Sequence, residues 1–136
     1  MSRFVVLGAE GMLGRALADE LAARGEPHVG VDLPDVDIAD PAHVARLIAA
    51  ESPEVLVNAA AWTDVDGAES APESAERANA IAPGVLSEAA AKAGTLLVHV
   101  STDYVFGGAG TEPYAEDAPV DPVSYTHLTL PTTPYV

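Results

Sequence analysis

Glycines stand at positions 8, 11 and 14, directly after the apolar run Arg3 to Leu7 (RFVVL) and at the head of a stretch with helical spacing. Each residue of such a set can serve a phosphate-bearing ligand in its own way. One permits a tight turn, one removes a Cβ so that a diphosphate can approach the backbone, and one lets the next helix pack close to the strand. The first turn of that helix then offers N–H groups without intrahelical partners, which suits an anion. An acid, Asp32, closes the next apolar run, His28 to Val31 (HVGV), where a carboxylate can accept from ribose hydroxyls. Three glycines alone would signify only a turn. Strand, glycine turn, helix, strand and acid in that order point to a dinucleotide site.

Asp32 also bears on which nicotinamide cofactor would sit there. It would repel a 2′-phosphate, and residues 33 to 45 contain no Lys or Arg to offset it, which favours NADH over NADPH. Asp35, Asp37 and Asp40 follow and could be imagined around a metal ion. A solvated acidic loop with Asp40 as a helix cap accounts for them more simply, and no residue is assigned to a metal.

The elements that must hold these residues alternate. Leu13, Leu17 and Leu21 form the apolar stripe of a helix from Gly11 to Arg24, stopped by Gly25. Asp40-Pro41 starts a second helix, with Val44, Leu47 and Ile48 on its buried face. Glu54 to Val57 (EVLV) is a third strand. An Ala-rich helical region runs from Pro72 to Ala93 with a kink or restart at Pro83, and Gly94 ends it. Thr95 to Val100 (TLLVHV) is a fourth strand. Four strand–helix alternations predict an α/β fold, a doubly wound parallel sheet with helices on both faces and right-handed crossovers.

Composition narrows the classes of function. A chain of 136 residues with 49% hydrophobic residues is expected to be one domain with a core. It has no cysteine, so disulfides and thiolate metal sites are out. The net charge is −15, and the six basic residues are scattered, which disfavours nucleic acid as a partner. There is no apolar run of the length that spans a membrane, and residues 1 to 8 are too short for a signal-peptide core, so the cytoplasm is the expected compartment.

The G-x-x-G-x-x-G spacing is similar to that of extended short-chain dehydrogenases, which carry a Rossmann fold. Three further stretches narrow the resemblance: VNAAAWTDVDGAE (Val57 to Glu69), NAIAP (Asn79 to Pro83), and VSTDYVFGG (Val100 to Gly108) followed by EPYAEDAPVDP (Glu112 to Pro122). Together these resemble the dTDP-4-dehydrorhamnose reductases over residues 1 to 122. That family reduces a 4-keto-6-deoxy sugar nucleotide to its 4-hydroxy product. The resemblance implies that Gly8, Gly11, Met12 and Leu13 meet the pyrophosphate, with Gly14 completing the glycine set. It implies that Asp37 and Ile38 flank the adenine, and that Ala59, Ala60 and Ala61 line the ribose and nicotinamide. Thr102 would hydrogen-bond the substrate's keto oxygen and polarise it. Asp103 and Tyr104 would approach the sugar. Trp62 stands where the family more often has a smaller ring, with an indole N–H that needs a partner. His28, His43 and His99 lack ligand spacing and read as structural.

The resemblance stops at Pro122. The family's pattern P-x-N-x-Y-G-x-[ST]-K supplies a tyrosine proton donor and a lysine that lowers its pKa. Aligned on Pro122, those slots hold Thr126 and Leu130, and the chain's single lysine is Lys92. Residues 122 to 136 carry no Asp, Glu, Lys or Arg, and VSYTHLTLPTT resembles a translated reading frame of transposon-end adapter sequence. Residues 1 to 122 are therefore expected to be the N-terminal part of a dinucleotide-binding domain and 123 to 136 a non-native tail. The sheet would be truncated after the fourth strand and the loop beyond it. That strand would be an uncovered apolar edge, the chain marginally stable or aggregation-prone, and reductase activity absent although the parent gene encodes an active enzyme. The family's Mg2+ and homodimer contacts would lie mostly beyond the matched stretch. Another sugar-nucleotide reductase or epimerase of the extended short-chain group, or a non-catalytic nucleotide-binding regulatory subunit, is the alternative reading.

Overall fold

A computed structural model describes residues 3–121. Expectations placed on residues 122–136, including Thr126, Leu130 and the tail boundary, lie outside the described residues. The first strand, β1 (Phe4–Leu7), is built from residues that suit a strand covered on both faces, and Val5, Val6 and Leu7 are fully buried. Helix α1 (Met12–Ala23) follows the glycine turn and closes as expected at Gly25, whose N–H bonds to the Ala22 carbonyl at 3.0 Å. Then come β2 (His28–Val31) and α2 (Pro41–Glu51). Asp40 caps α2, accepting from the Ala42 N–H at 2.7 Å, and Pro41 takes the first helical position, where no N–H is needed. β3 (Val55–Asn58) completes the first half.

The next region departs from the single kinked helix that the Ala-rich sequence suggests. A short helix, α3 (Val65–Ser70), precedes it, capped by the Asp64 side chain on the Gly67 N–H at 2.9 Å. The Ala-rich segment then divides into α4 (Pro72–Glu76), a π-helical stretch (Arg77–Ile81) and α5 (Ala82–Ala93). Pro83 sits at the second position of α5. It has no N–H for the Asn79 carbonyl, and the backbone changes register just before it, with the Ala82 N–H reaching back to the Arg77 carbonyl. β4 (Leu96–His99) and a 3-10 turn (Asp103–Val105) end the described elements.

All four strands are parallel, in the order β2-β1-β3-β4, so β1 lies inside the sheet. Leu7 pairs in register with Val31 and with Asn58, and Asn58 with His99. Gly8, Asp32 and Ala59 therefore leave the sheet at one level, at the carboxyl ends of the three strands. This is the edge at which open α/β sheets bind ligands. The core joins Val5, Leu7 and Leu56 of the sheet to Val44 and Ile48 of α2 and Leu86 of α5. α1 packs against β1 and β2 and adds nothing to that cluster, while Val6, alternating to the other face, is fully buried as well.

One expectation of burial is modified and one is met. Leu13 is exposed rather than part of a buried stripe, because the first turn of α1 meets the glycine loop through Gly14, the one fully buried residue of that helix. β4 is the outermost strand among the described residues. Its Leu97 faces the core, but Leu96 (62% exposed) and Val98 (43%) stand open on the opposite face. No helix among the described residues is long and apolar enough to cross a membrane.

Candidate functional site

The glycine loop is shaped by backbone contacts that no side chain would permit. Gly8 has φ +76°, and a Cβ there would lie 2.7 Å from the Ala60 nitrogen and 2.8 Å from its Cα. The turn thus presses directly on the segment that follows β3. A Cβ at Gly14 would fall 2.0 Å from the Gly8 carbonyl oxygen, so α1 can approach the strand only through a glycine. Gly11 closes the turn, its N–H bonding the Gly8 carbonyl at 3.1 Å, and it stands as N-cap of α1 without a side-chain cap. The first bond into the helix is made by the Arg15 N–H to the Gly11 carbonyl at 3.0 Å, so the amides of Met12, Leu13 and Gly14 precede the intrahelical ladder. Met12 is 91% exposed, and neither it nor Leu13 nor Gly14 lines the cavity beside the loop.

The loop opens onto a cavity of about 670 Å³, within the range of small-molecule sites. Gly8, Gly11, Asp32, Asp37, Ile38 and Ala59 to Ala61 all line it. The sequence thus located its wall from three separate loops, and the sheet register is what joins them. Asp32 does more than face a ribose. One of its carboxylate oxygens accepts the Glu10 N–H at 2.8 Å and the other the Leu33 N–H at 2.9 Å, so it also pins the glycine loop to β2. Asp37 accepts the Ala39 N–H at 2.9 Å and pairs with the Arg77 guanidinium at 2.7 Å. That guanidinium, above all, holds the Asp37 carboxyl below the usual carboxylate range. The Asp37 N–H donates to His43 Nδ1 at 3.2 Å, which gives His43 the structural role expected of it.

Two asparagines, neither singled out by sequence reasoning, hold the loop after β3. Asn79, buried in the π-helical stretch, accepts the Trp62 N–H at 2.8 Å and donates to the Trp62 carbonyl at 3.0 Å, holding the two peptides that flank one residue. The available signal was Asn in a helix interior, where its propensity is poor unless its amide has work elsewhere. The Trp62 indole N–H finds its partner in the Asp64 carbonyl at 2.7 Å. Asn58, fully buried, accepts the Ala60 N–H at 3.1 Å and meets His99 Nδ1 at 3.0 Å. Because its oxygen already serves Ala60, its NH2 donates to His99, which fixes Nδ1 as an acceptor and the imidazole as neutral. Burial lowers the His99 pKa, in keeping with that state.

Thr102, Asp103 and Tyr104 do not line this cavity. β4 ends at His99, Val100 prolongs its pairing through an N–H bond to the Asn58 carbonyl at 3.1 Å, and the chain then turns. Thr102 caps that turn, accepting the Tyr104 N–H at 3.3 Å and donating to Asp103 Oδ1 at 3.3 Å. The glycine cradle, the amides at the head of α1 and the apolar wall of Ala59 to Ala61 fit a dinucleotide. The described residues bring the proposed sugar-contacting group together as one turn, separate from that wall.

Residues 2–130 match the RmlD substrate binding domain family. The chain is 45% identical over 120 residues to a dTDP-4-dehydrorhamnose reductase of Streptomyces griseus, covering 88% of this chain and 40% of that protein. Among solved structures, it resembles a dTDP-4-dehydrorhamnose reductase of Clostridium acetobutylicum with TM-score 0.84 and 35% identity over 91% of this chain and 44% of that one. It also resembles the dTDP-4-dehydrorhamnose reductase of Bacillus anthracis in complex with NADP, with TM-score 0.83 and 32% identity over 93% and 46%. The chain thus spans less than half the length of these relatives.

Proposed function

The chain belongs to the RmlD substrate binding domain family, and on that premise we propose that it forms the cofactor-binding part of a nicotinamide-dependent reductase of a nucleotide-linked 4-keto sugar, dTDP-4-dehydrorhamnose by the names of its relatives. The observation that carries the reading is the Gly8 turn, wedged against Ala60 and lining one cavity together with Gly11, the N-cap of α1, and Asp32. The backbone from Gly8 to Leu13 would hold the diphosphate, Asp32 a ribose, Asp37 and Ile38 the adenine, and Ala59 to Ala61 the nicotinamide end. When bound, a reduced nicotinamide supplies the hydride equivalent. Thr102 would donate its hydroxyl to the substrate's keto oxygen, with Asp103 and Tyr104 beside the sugar.

The same reading assigns binding, but no turnover, to the 136-residue chain. Its one lysine, Lys92, lies on α5 in an ion pair with Glu88 at 2.6 Å. Residues 1 to 122 would constitute the binding unit. Trp62 is the only tryptophan and lines the cavity, so energy transfer from it to NADH reports binding directly. Saturable transfer, with no NADH oxidation when the keto-sugar nucleotide is added, is the expected result. Absence of transfer at millimolar NADH overturns the binding assignment, and robust turnover overturns the assignment of catalysis to a pair this chain lacks.

A further inference from the structure

The cavity contains a positive charge that the sequence around Asp32 does not supply. Arg77 enters it from the π-helical stretch, 40 residues beyond Asp37 in the chain, and among the described residues that line the cavity it is the one cation. Its Nη2 donates to Asp37 Oδ2 at 2.7 Å, and its side chain remains 51% exposed. Ser74, one turn earlier, lines the same wall. Asp32, the acid that should turn away a 2′-phosphate, has a backbone N–H on each of its oxygens, so both are already engaged and its direction is fixed.

We propose that Arg77 is the specificity-determining residue that seats the 2′-phosphate of NADPH, with Asp37 as the carboxylate that holds it in place until that phosphate arrives. This rests on the dinucleotide reading of the cavity and deepens it. A guanidinium offers a planar fork matched to phosphate oxygens, and a phosphate monoester carries more charge and more acceptors than the carboxylate it would displace. An ion pair exposed to this extent is weak, so exchanging its partner costs little. Asp37, held by Arg77 below a carboxylate range that already lies well under neutral pH, stays charged and competes with the phosphate throughout the working range. The two residues therefore act in opposite senses. Removing the arginine leaves a wall with Asp32 and Asp37 both anionic, whereas neutralising Asp37 frees the arginine.

The test titrates the 136-residue chain with NADPH and NADH by energy transfer from Trp62, and uses adenosine 2′,5′-bisphosphate and AMP as competitors. Arg77→Met, which keeps an apolar stem, is expected to weaken NADPH by about tenfold, or about 1.4 kcal/mol, with NADH changed by less than about twofold. Asp37→Asn is expected to tighten NADPH several-fold, an effect of opposite sign that partial unfolding cannot imitate. Adenosine 2′,5′-bisphosphate should displace NADH better than AMP from the parent chain, and lose that advantage in Arg77→Met. Equal losses for both cofactors in Arg77→Met, or no change in their ratio in either variant, overturn the assignment of Arg77 while leaving the site intact. A parent chain that binds neither cofactor overturns the site itself, and this assignment falls with it.

Discussion

Replacing Gly8 by alanine separates two effects that the structure assigns to that position. The first is conformational: at φ +76° an L-residue other than glycine is strained, by about 1–2 kcal/mol. The second is steric. The new Cβ would stand 2.7, 2.8 and 2.9 Å from the Ala60 nitrogen, the Ala60 Cα and the Ala59 carbonyl carbon. All three are backbone atoms, so no side-chain rotation relieves the contact, and overpacking of this kind costs about 1–3 kcal/mol more. Together the two approach the lower end of a domain's usual stability of about 5–15 kcal/mol. Gly25→Ala provides the control, because Gly25 has φ +69° with nothing within 4 Å of its would-be Cβ. It should lose only the first amount. Urea denaturation followed by circular dichroism measures both variants, and their difference isolates the steric part. Relief at Gly8 must displace residues 59 to 61, so NADH binding by the folded variant should also weaken for Gly8→Ala and stay unchanged for Gly25→Ala. Equal destabilisation of the two, or unimpaired binding by Gly8→Ala, would refute the claim that this turn is wedged against the loop after β3.

Leu86 is fully buried where α5 meets the sheet, so Leu86→Ala should cost about 2–5 kcal/mol in urea denaturation, without altering cofactor affinity of the folded protein. Asn79→Leu removes the hydrogen bonds to the Trp62 N–H and to the Trp62 carbonyl, with an expected loss of about 1–3 kcal/mol. It should also shift the Trp62 emission maximum, a change that Leu86→Ala should not produce. For His99 the folded pKa lies below the ordinary value of about 6.5, so between the two the unfolded chain binds more protons and stability falls as pH drops through that window. Urea midpoints from pH 8 to pH 5 should show that fall in the parent chain and a smaller one in His99→Gln; a parent chain that gains stability on acidification across the window would contradict a neutral, accepting Nδ1.

What the sequence made legible had local causes. An apolar run ending in glycine identifies β1, Asp40-Pro41 identifies the start of α2, and Gly25 and Gly94 identify two helix ends, because each signal lies within a few residues of what it determines. The unforeseen features depend on residues distant in sequence. The Asp37–Arg77 pair joins two segments that no spacing rule links, and a cofactor argument confined to residues 33 to 45 could not register the arginine. Gly30 looks like a weak strand residue, yet its missing Cβ would meet the Ala9 Cβ at 2.7 Å, so it makes room for the glycine loop. α3 escaped notice because Gly67 lies inside it, although Asp64 three residues earlier was an available cap. The run TLLVHV reads as an uncovered apolar edge, and alternate residues of β4 are indeed open, since burial of an outer strand depends on what lies beside it.

The acidity of the chain and the anionic ligand proposed for it are reconciled by distance. Three carboxylates line the cavity, and each has a partner: Glu10 meets Arg15, outside the lining, at 3.2 Å, Asp32 two backbone amides and Asp37 the Arg77 guanidinium. At physiological ionic strength a charge more than about 8 Å away is largely screened, while the partial charge of roughly +0.5 at a helix N-terminus acts within its first turn. The bound state is therefore governed by the glycine loop and its immediate surroundings. The net charge of −15 acts instead on the approach, when the ligand is still outside that short range. Stopped-flow mixing with NADH should consequently show an association rate that rises with added salt, the reverse of the behaviour of proteins that attract phosphates through a basic surface. A rate that falls with salt would mean that the positive field of the loop reaches beyond the cavity mouth, and that the chain's acidic surface does not govern the encounter.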